Sequence, residues 1–256
     1  MSNILASDSR KQRPAATVGF RIERLSALLL LFAVLSLVFF ILLVFLRIPL
    51  PINPSVSFQD AFDVLTPLVL IPLYWILFRY AASDPPGLVE ELAFIGFAAF
   101  WIEGQGMHLS ANSISNLMEA FAKGQLIDLD SNGIFNLAHF YDEYLGHYLW
   151  HVGVLGLAGL LIVREWRDPA WLPTAWSLVI PAGVIYGFLL FAITDEGNTV
   201  WLGLPFSILV VLFGLLKGRR ELGDRPVLAF FLASCIVAAL LYTGWGLYWG
   251  GFPGLL

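Results

Sequence analysis

The sequence contains several stretches of about 20 residues in which no charged side chain interrupts the apolar ones. Residues 25–46 form the first stretch and run for 22 positions without a charge. A helix needs about 20 apolar residues to cross the hydrocarbon core of a bilayer. Of all residues, 59% are hydrophobic and 13% are charged, against about 45–50% and about 25% in a soluble domain. The chain is therefore predicted to be a polytopic membrane protein, which excludes water-soluble enzymes and nucleic-acid binders.

Charged and turn-forming residues divide the chain into seven predicted spans. We predict an all-α integral membrane protein, a seven-transmembrane helix bundle that forms one domain over residues 25–256. The first apolar run is too long for a signal-peptide core, so we expect it to remain as the first helix. Residues 1–24 are predicted to be a disordered basic tail. The predicted spans cover residues 25–46, 61–78, 88–107, 134–163, 173–194, 199–216 and 226–248.

The basic residues predict the orientation of this bundle. Lys and Arg concentrate in cytoplasmic loops of membrane proteins. If the N-terminus is cytoplasmic, twelve of the fourteen Lys and Arg residues lie on the cytoplasmic side, and only Arg47 and Lys123 lie outside. The sequence therefore predicts a cytoplasmic N-terminus and an extracytoplasmic C-terminus, in an inner or plasma membrane.

The connection between the third and fourth spans carries one further apolar pattern. Ile114, Leu117, Met118 and Phe121 follow the spacing of one helical face. This pattern predicts either an interfacial helix over the mouth of the bundle or a short helix packed on it.

Ionisable residues gather in the fourth span, where they form a regular ridge. His139, Glu143, His147 and His151 follow one another at four-residue spacing, and Asp142 lies one position off the ridge. Residues four apart share one face of a helix. Ionisable groups at membrane depth usually face a bundle interior or a cavity, so this ridge is a candidate functional site.

The third span carries two more ionisable residues, Glu103 and His108, at two different depths. A rise of about 1.5 Å per residue places Glu103 about 22 Å from the cytoplasmic end of its helix. The same count places His151 about 19 Å and His147 about 25 Å along the fourth span. His108 lies higher, near the outer boundary. The cluster is predicted to open to the extracytoplasmic face.

This residue set suggests a metal site. His147 and His151 form an H-x-x-x-H pair on one helix face, an arrangement that can hold a metal ion. A catalytic metal needs a third protein ligand, which Glu103 or His108 would supply. Glu143, Asp142 or Glu103 would act as general base or orient the ligands. We predict zinc or iron, with metal-assisted hydrolysis or oxidation of a lipid-like substrate that reaches the site from the bilayer.

Three alternatives remain open from the sequence. The His and carboxylate side chains would pair with one another to hold the helices together, without metal or turnover. In the second alternative, the same side chains form a proton or ion pathway in a transport protein. A b-type haem between His108 and a histidine of the fourth span is the third alternative.

In architecture alone, a seven-helix bundle with a recessed His and carboxylate cluster resembles the membrane metal hydrolases of the alkaline ceramidase and adiponectin-receptor type. That resemblance implies bound zinc and hydrolysis of lipid amides. In that family the H-x-x-x-H pair lies on the last helix, whereas here it is His147 and His151 of the fourth span. No residue role is therefore carried over.

Overall fold

The computed structural model describes residues 15–52, 56–123, 129 and 132–254, and these residues form seven long helices and no β-strand. The first fourteen residues of the predicted tail lie outside the described residues, and the rest of that tail belongs to the first helix. The helices are α1 (Ala15–Phe40), α2 (Phe58–Tyr80), α3 (Leu88–Lys123), α4 (Gly133–Arg167), α5 (Trp176–Glu196), α6 (Val200–Gly218) and α7 (Pro226–Trp249).

Each predicted span corresponds to one of these helices, and five of them are long and apolar enough to cross a membrane. These five are α2, α4, α5, α6 and α7. The apolar part of α1, Arg24–Phe40, is shorter. The chain is a polytopic membrane protein with an all-helical fold. The count of seven crossings and the orientation of the termini stay predictions.

Successive helices run in opposite directions, so the bundle has two ends. At one end, which we call the arginine end, Arg164 of α4 bonds to the last turn of α2 and to the first turn of α3. At the other, the histidine end, His108 of α3 contacts Asp142 of α4, and His151 of α4 contacts Thr199 before α6.

Helix α3 differs most from its predicted span. It was expected to end at residue 107, near Gly104 and Gly106, but it continues to Lys123 and includes the apolar pattern predicted as a separate helix. A glycine inside a helix costs only about 1 kcal/mol relative to alanine. Close packing against α4 offsets that cost, because Gly104 lies against the backbone of Gly146 and Trp150.

Glycines allow α3 and α4 to approach backbone to backbone. A Cβ atom on Gly153 would lie 2.6 Å from the carbonyl oxygen of Phe97, and one on Gly146 would lie 3.0 Å from the backbone nitrogen of His108. Small residues at helix crossings permit this approach in membrane proteins, where packing replaces the hydrophobic drive for association. The crossing holds α3 and α4 at the spacing that the histidine end requires.

The centre of the bundle is an aromatic core. Tyr74 of α2 and Tyr186 of α5 are both buried, and their hydroxyl groups are 2.7 Å apart. Phe32 of α1 packs edge-on against Tyr74, with ring centroids 4.6 Å apart. The hydroxyl pair satisfies two polar groups that would be costly to bury alone.

Arg164 ties three helices together at the arginine end. Its side chain is 3% exposed. Its Nε donates to the carbonyl oxygen of Phe78 at 2.9 Å. Its two other nitrogens donate to the Glu90 carboxylate and to the carbonyl oxygen of Asp84. Each of the three guanidinium nitrogens therefore has an acceptor, which offsets the cost of burying the cation.

Glu165, the next residue, caps helix α7. It is 1% exposed, and its carboxylate accepts the backbone N–H groups of Val227 at 3.0 Å and Leu228 at 2.7 Å. These donors belong to the first turn of α7, where backbone N–H groups have no partner within the helix. The positive end of the helix dipole also favours an anion at this position.

Candidate functional site

A cavity of about 840 Å³ opens at the histidine end, among α1 to α5. We call its apolar lining residues the apolar wall and its polar and charged ones the polar region, which includes His108, Glu143 and His147 of the cluster. Its lining residues include the apolar Phe40, Phe45, Phe188, Ala192 and Ile193, and the polar or charged Asp63, His108, Asn112, Glu143, His147 and Glu196.

His108 and Asp142 form the closest contact of the cluster. His108 Nδ1 lies 2.6 Å from Asp142 Oδ1, and the Asp142 side chain is 5% exposed. Asp142 belongs to a π-helical segment, Phe140–Gly146, that interrupts α4. Such π-helical turns insert extra backbone and change the face on which residues lie, and they are frequent at functional sites.

The π-helical segment changes the predicted ridge. Asp142, predicted one position off the ridge, is the residue that faces His108. Glu143 is partly exposed, with Oε2 4.0 Å from His147 Nδ1. His139 is exposed and stacks on Phe135 instead. The four-residue spacing assumed a regular α-helix, and the wider turn of the π-helix breaks that register.

Three imidazole rings lie in sequence behind this ion pair. The rings of His108 and His147 have centroids 4.5 Å apart, and those of His147 and His151 are 5.8 Å apart and nearly parallel. His151 is fully buried, and its Nδ1 lies 2.5 Å from the Thr199 hydroxyl. Its Nε2 has no hydrogen-bond partner among the described residues. The structure thus brings His108, Asp142, His147 and His151 together.

Glu103, in contrast, lies away from the cluster. It is exposed and lines a separate apolar groove of about 740 Å³ between α3 and α4, with Gly106, Ile134 and Tyr141. Positions five apart on a helix point about 140° away from each other, because each residue turns the helix by 100°. Since α3 stays helical through Gly104 and Gly106, Glu103 and His108 face different sides.

Two further residues of the site escaped the sequence analysis. Asp63 of α2 lines the cavity, and its backbone carbonyl accepts a hydrogen bond from Gln105 Nε2 at 2.9 Å. Trp150 packs its ring 4.7 Å from that of His151 and lines the same cavity. An acid inside an apolar span is a signal in itself, and Asp63 lies inside the predicted second span. Trp150 is one of nine tryptophans, and its sequence position does not distinguish it from the others.

The cluster does not form a set of metal ligands among the described residues. Within the described ranges, no three His, Cys, Asp or Glu side chains are arranged so that they could hold one metal ion. Because Glu103 faces elsewhere, it does not complete a ligand set with His147 and His151.

Comparison with known proteins identifies two distant relatives. The chain is 23% identical over 222 residues to Ceroid-lipofuscinosis neuronal protein 6 homolog from Canis lupus familiaris, a match that covers 76% of this chain. It is 24% identical over 218 residues to Ceroid-lipofuscinosis neuronal protein 6 from Homo sapiens, covering 78% of this chain. Both matches span 66% of the relative, slightly less than two thirds of its length.

No protein-family model matches the chain, and no solved structure shows significant similarity to it. The chain is a polytopic membrane protein with distant similarity to Ceroid-lipofuscinosis neuronal protein 6.

Proposed function

We propose that this protein binds a lipid-like small molecule in the cavity at the histidine end. The observation that carries the proposal is that one cavity is lined by both apolar and polar side chains. Ligand cavities in proteins are typically about 300–1,000 Å³ and mostly apolar, with a few polar groups that orient the ligand. The volume of about 840 Å³ lies in this range.

The polar region would receive the head of the ligand. His147 is 6% exposed and borders the cavity beside His108, whose Nδ1 contacts Asp142. Asn112 of α3 adds an amide. Buried polar groups of this kind favour a ligand that returns hydrogen bonds to them, because unpaired polar groups are costly at low dielectric.

The apolar wall would receive the chain of the ligand. Phe40 at the end of α1 and Phe188 of α5 border the cavity together with Ala192 and Ile193. Each methylene group that leaves water for such a wall contributes about 0.8 kcal/mol. A ligand with a medium-length alkyl chain would therefore gain most of its affinity here.

Metal-assisted hydrolysis or oxidation of such a ligand stays a prediction. It would require His147 and His151 to share a metal with a third ligand from a rearranged cluster. Elemental analysis of the purified protein, compared with His147→Ala, decides whether any metal depends on this cluster.

Filling the cavity should abolish ligand binding. Ala192 is 4% exposed and lines the cavity, so Ala192→Phe would place a ring where the ligand chain lies. We expect native mass spectrometry to detect a bound amphiphile on the wild-type protein and at least about tenfold less on the variant, a loss of about 1.4 kcal/mol or more.

Val184→Phe is the matched control on the same helix, because Val184 is 48% exposed and does not line either cavity. It should leave the bound amphiphile unchanged. Equal amphiphile on Ala192→Phe and wild type, or none on the wild type, would overturn the proposed function. A thermal unfolding curve for each variant separates loss of binding from loss of folding.

A further inference from the structure

One face of α5 carries a regular row of exposed apolar side chains. Trp176, Ile180, Val184 and Phe188 follow one another at four-residue spacing, and each is between 41% and 48% exposed. Residues four apart lie on the same face of a helix. Since α5 is long and apolar enough to cross a membrane, this row marks the face that α5 turns toward the lipid.

Phe188, the last residue of this row, also lines the cavity at the histidine end. Val184, one turn earlier, does not line the cavity. Ala192, one turn later, lines it and is buried. Along this one face, α5 therefore passes from lipid contact to the cavity interior within about two turns, and Phe188 stands at the boundary between them.

The depth of this boundary does not depend on the orientation of the bundle. Phe188 is the thirteenth of the 21 residues of α5. A rise of about 1.5 Å per residue places it about 12 Å from the histidine end of a helix that is about 31 Å long. The hydrocarbon core of a bilayer is about 30 Å thick. Phe188 therefore lies at the depth of the acyl chains.

The cavity has a different border at the ends of the helices. Exposed polar residues line it there: Arg47 beyond the end of α1, Asn116 in the outer half of α3, and Glu196, the last residue of α5. We call these three residues the polar rim. The cavity thus has an apolar border at the depth of acyl chains and a polar rim at the helix ends, which is the order of polarity along a membrane lipid.

We infer that Phe188 borders a lateral opening through which the alkyl chain of a bilayer lipid enters the cavity. The ligand is then a membrane lipid, with its chain along α5 and its head toward the polar rim, and it is not taken up from water. A chain that enters at this depth stays among apolar groups throughout, so its methylene groups need not cross water. This inference rests on the proposed function and specifies the ligand class and the route for the same site.

A lipid that cannot leave the bilayer tests this route. The full chain is reconstituted in phosphatidylcholine vesicles that contain a small fraction of phosphatidylcholine with a diazirine near the end of one acyl chain. After irradiation, mass spectrometry of peptides locates the covalent adducts. We expect adducts on the buried wall residues Ala192 and Ile193 as well as on Val184, whose lipid-facing position makes it the internal reference.

Substitutions of Phe188 should change the labelling of the wall in opposite directions. Phe188→Ala widens the opening and Phe188→Trp narrows it, so the ratio of wall adducts to Val184 adducts should rise and fall, respectively, by about threefold or more. Ile180→Ala and Ile180→Trp are the matched controls, because Ile180 lies two turns earlier in the exposed row and does not line the cavity. They should leave the ratio unchanged, and thermal unfolding curves check that each variant is folded.

Adducts on Val184 with none on Ala192 or Ile193 would overturn the lateral opening. If octanoate with a diazirine on its chain, added from water, then labels the wall, the cavity binds amphiphiles and only the route is wrong. If neither probe labels the wall, or if Ile193 is labelled as strongly in Ala192→Phe as in the wild type, the proposed function itself fails. Wall labelling that neither Phe188 substitution changes would exclude Phe188 from the opening.

Discussion

Replacing Glu165 with leucine is expected to lower the free energy of unfolding by about 2–6 kcal/mol. The leucine side chain cannot accept hydrogen bonds, so the backbone N–H groups of Val227 and Leu228 would lose their buried partner. Each unsatisfied buried donor costs about 1–3 kcal/mol. The favourable interaction between the carboxylate and the dipole of α7 would also be lost.

Reversible unfolding of the detergent-solubilised protein measures this change. Glu165→Gln keeps one acceptor oxygen and should lose clearly less stability than Glu165→Leu. Glu119→Leu makes the same chemical change at an exposed position of α3 and should shift stability by less than about 0.5 kcal/mol. If Glu165→Leu and Glu119→Leu unfold alike, Glu165 does not hold α7 in place.

Gly153→Ala should have the second-largest effect, a loss of about 1–3 kcal/mol. Its new methyl group would lie 2.6 Å from the carbonyl oxygen of Phe97 and 2.6 Å from the backbone nitrogen of Trp101. Backbone atoms cannot rotate away as a side chain can, so α3 and α4 must separate. That separation would lengthen the contact between His108 and Asp142 and weaken ligand binding at the histidine end.

Gly159→Ala is the matched control on the same helix. A Cβ atom there would lie 3.9 Å from the nearest neighbour, a ring carbon of Phe206, and alanine favours the helix by about 0.8–1.0 kcal/mol over glycine. This variant should be neutral or more stable. Equal stability of Gly153→Ala and wild type, with an unchanged amount of bound amphiphile, would mean that the crossing tolerates a wider spacing.

Much of the candidate site could be predicted from residue types and spacing. His108, Asp142 and His147 were expected near one another, because ionisable groups in apolar helices gather around an interior space. The role of Asp142 relative to Glu143 could not be predicted, since a π-helical segment changes which side chains face α3. Glu103 matches His147 in depth but lies about 140° from His108 on a regular helix, so the two would share a face only if α3 bent or unwound at Gly104 and Gly106. The helix is continuous there.

The buried charges at the arginine end show the same limit. From the sequence, Arg164 was only one of the basic residues that predict the orientation of the bundle in the membrane. In the folded protein it bonds to α2 and α3, while Glu165 caps α7. Such partners are separated by more than 60 positions in the chain, so only the packing of the helices brings them together.

By itself, the sequence determined that this protein consists of membrane helices, because apolar runs of membrane length can satisfy their backbone groups only as helices within a bilayer. It also determined which residues were available for chemistry. The tertiary structure decided which of them meet: glycines set the distance between α3 and α4, and the π-helical turn directs Asp142 to His108. These outcomes depend on contacts between distant segments, which no local periodicity encodes.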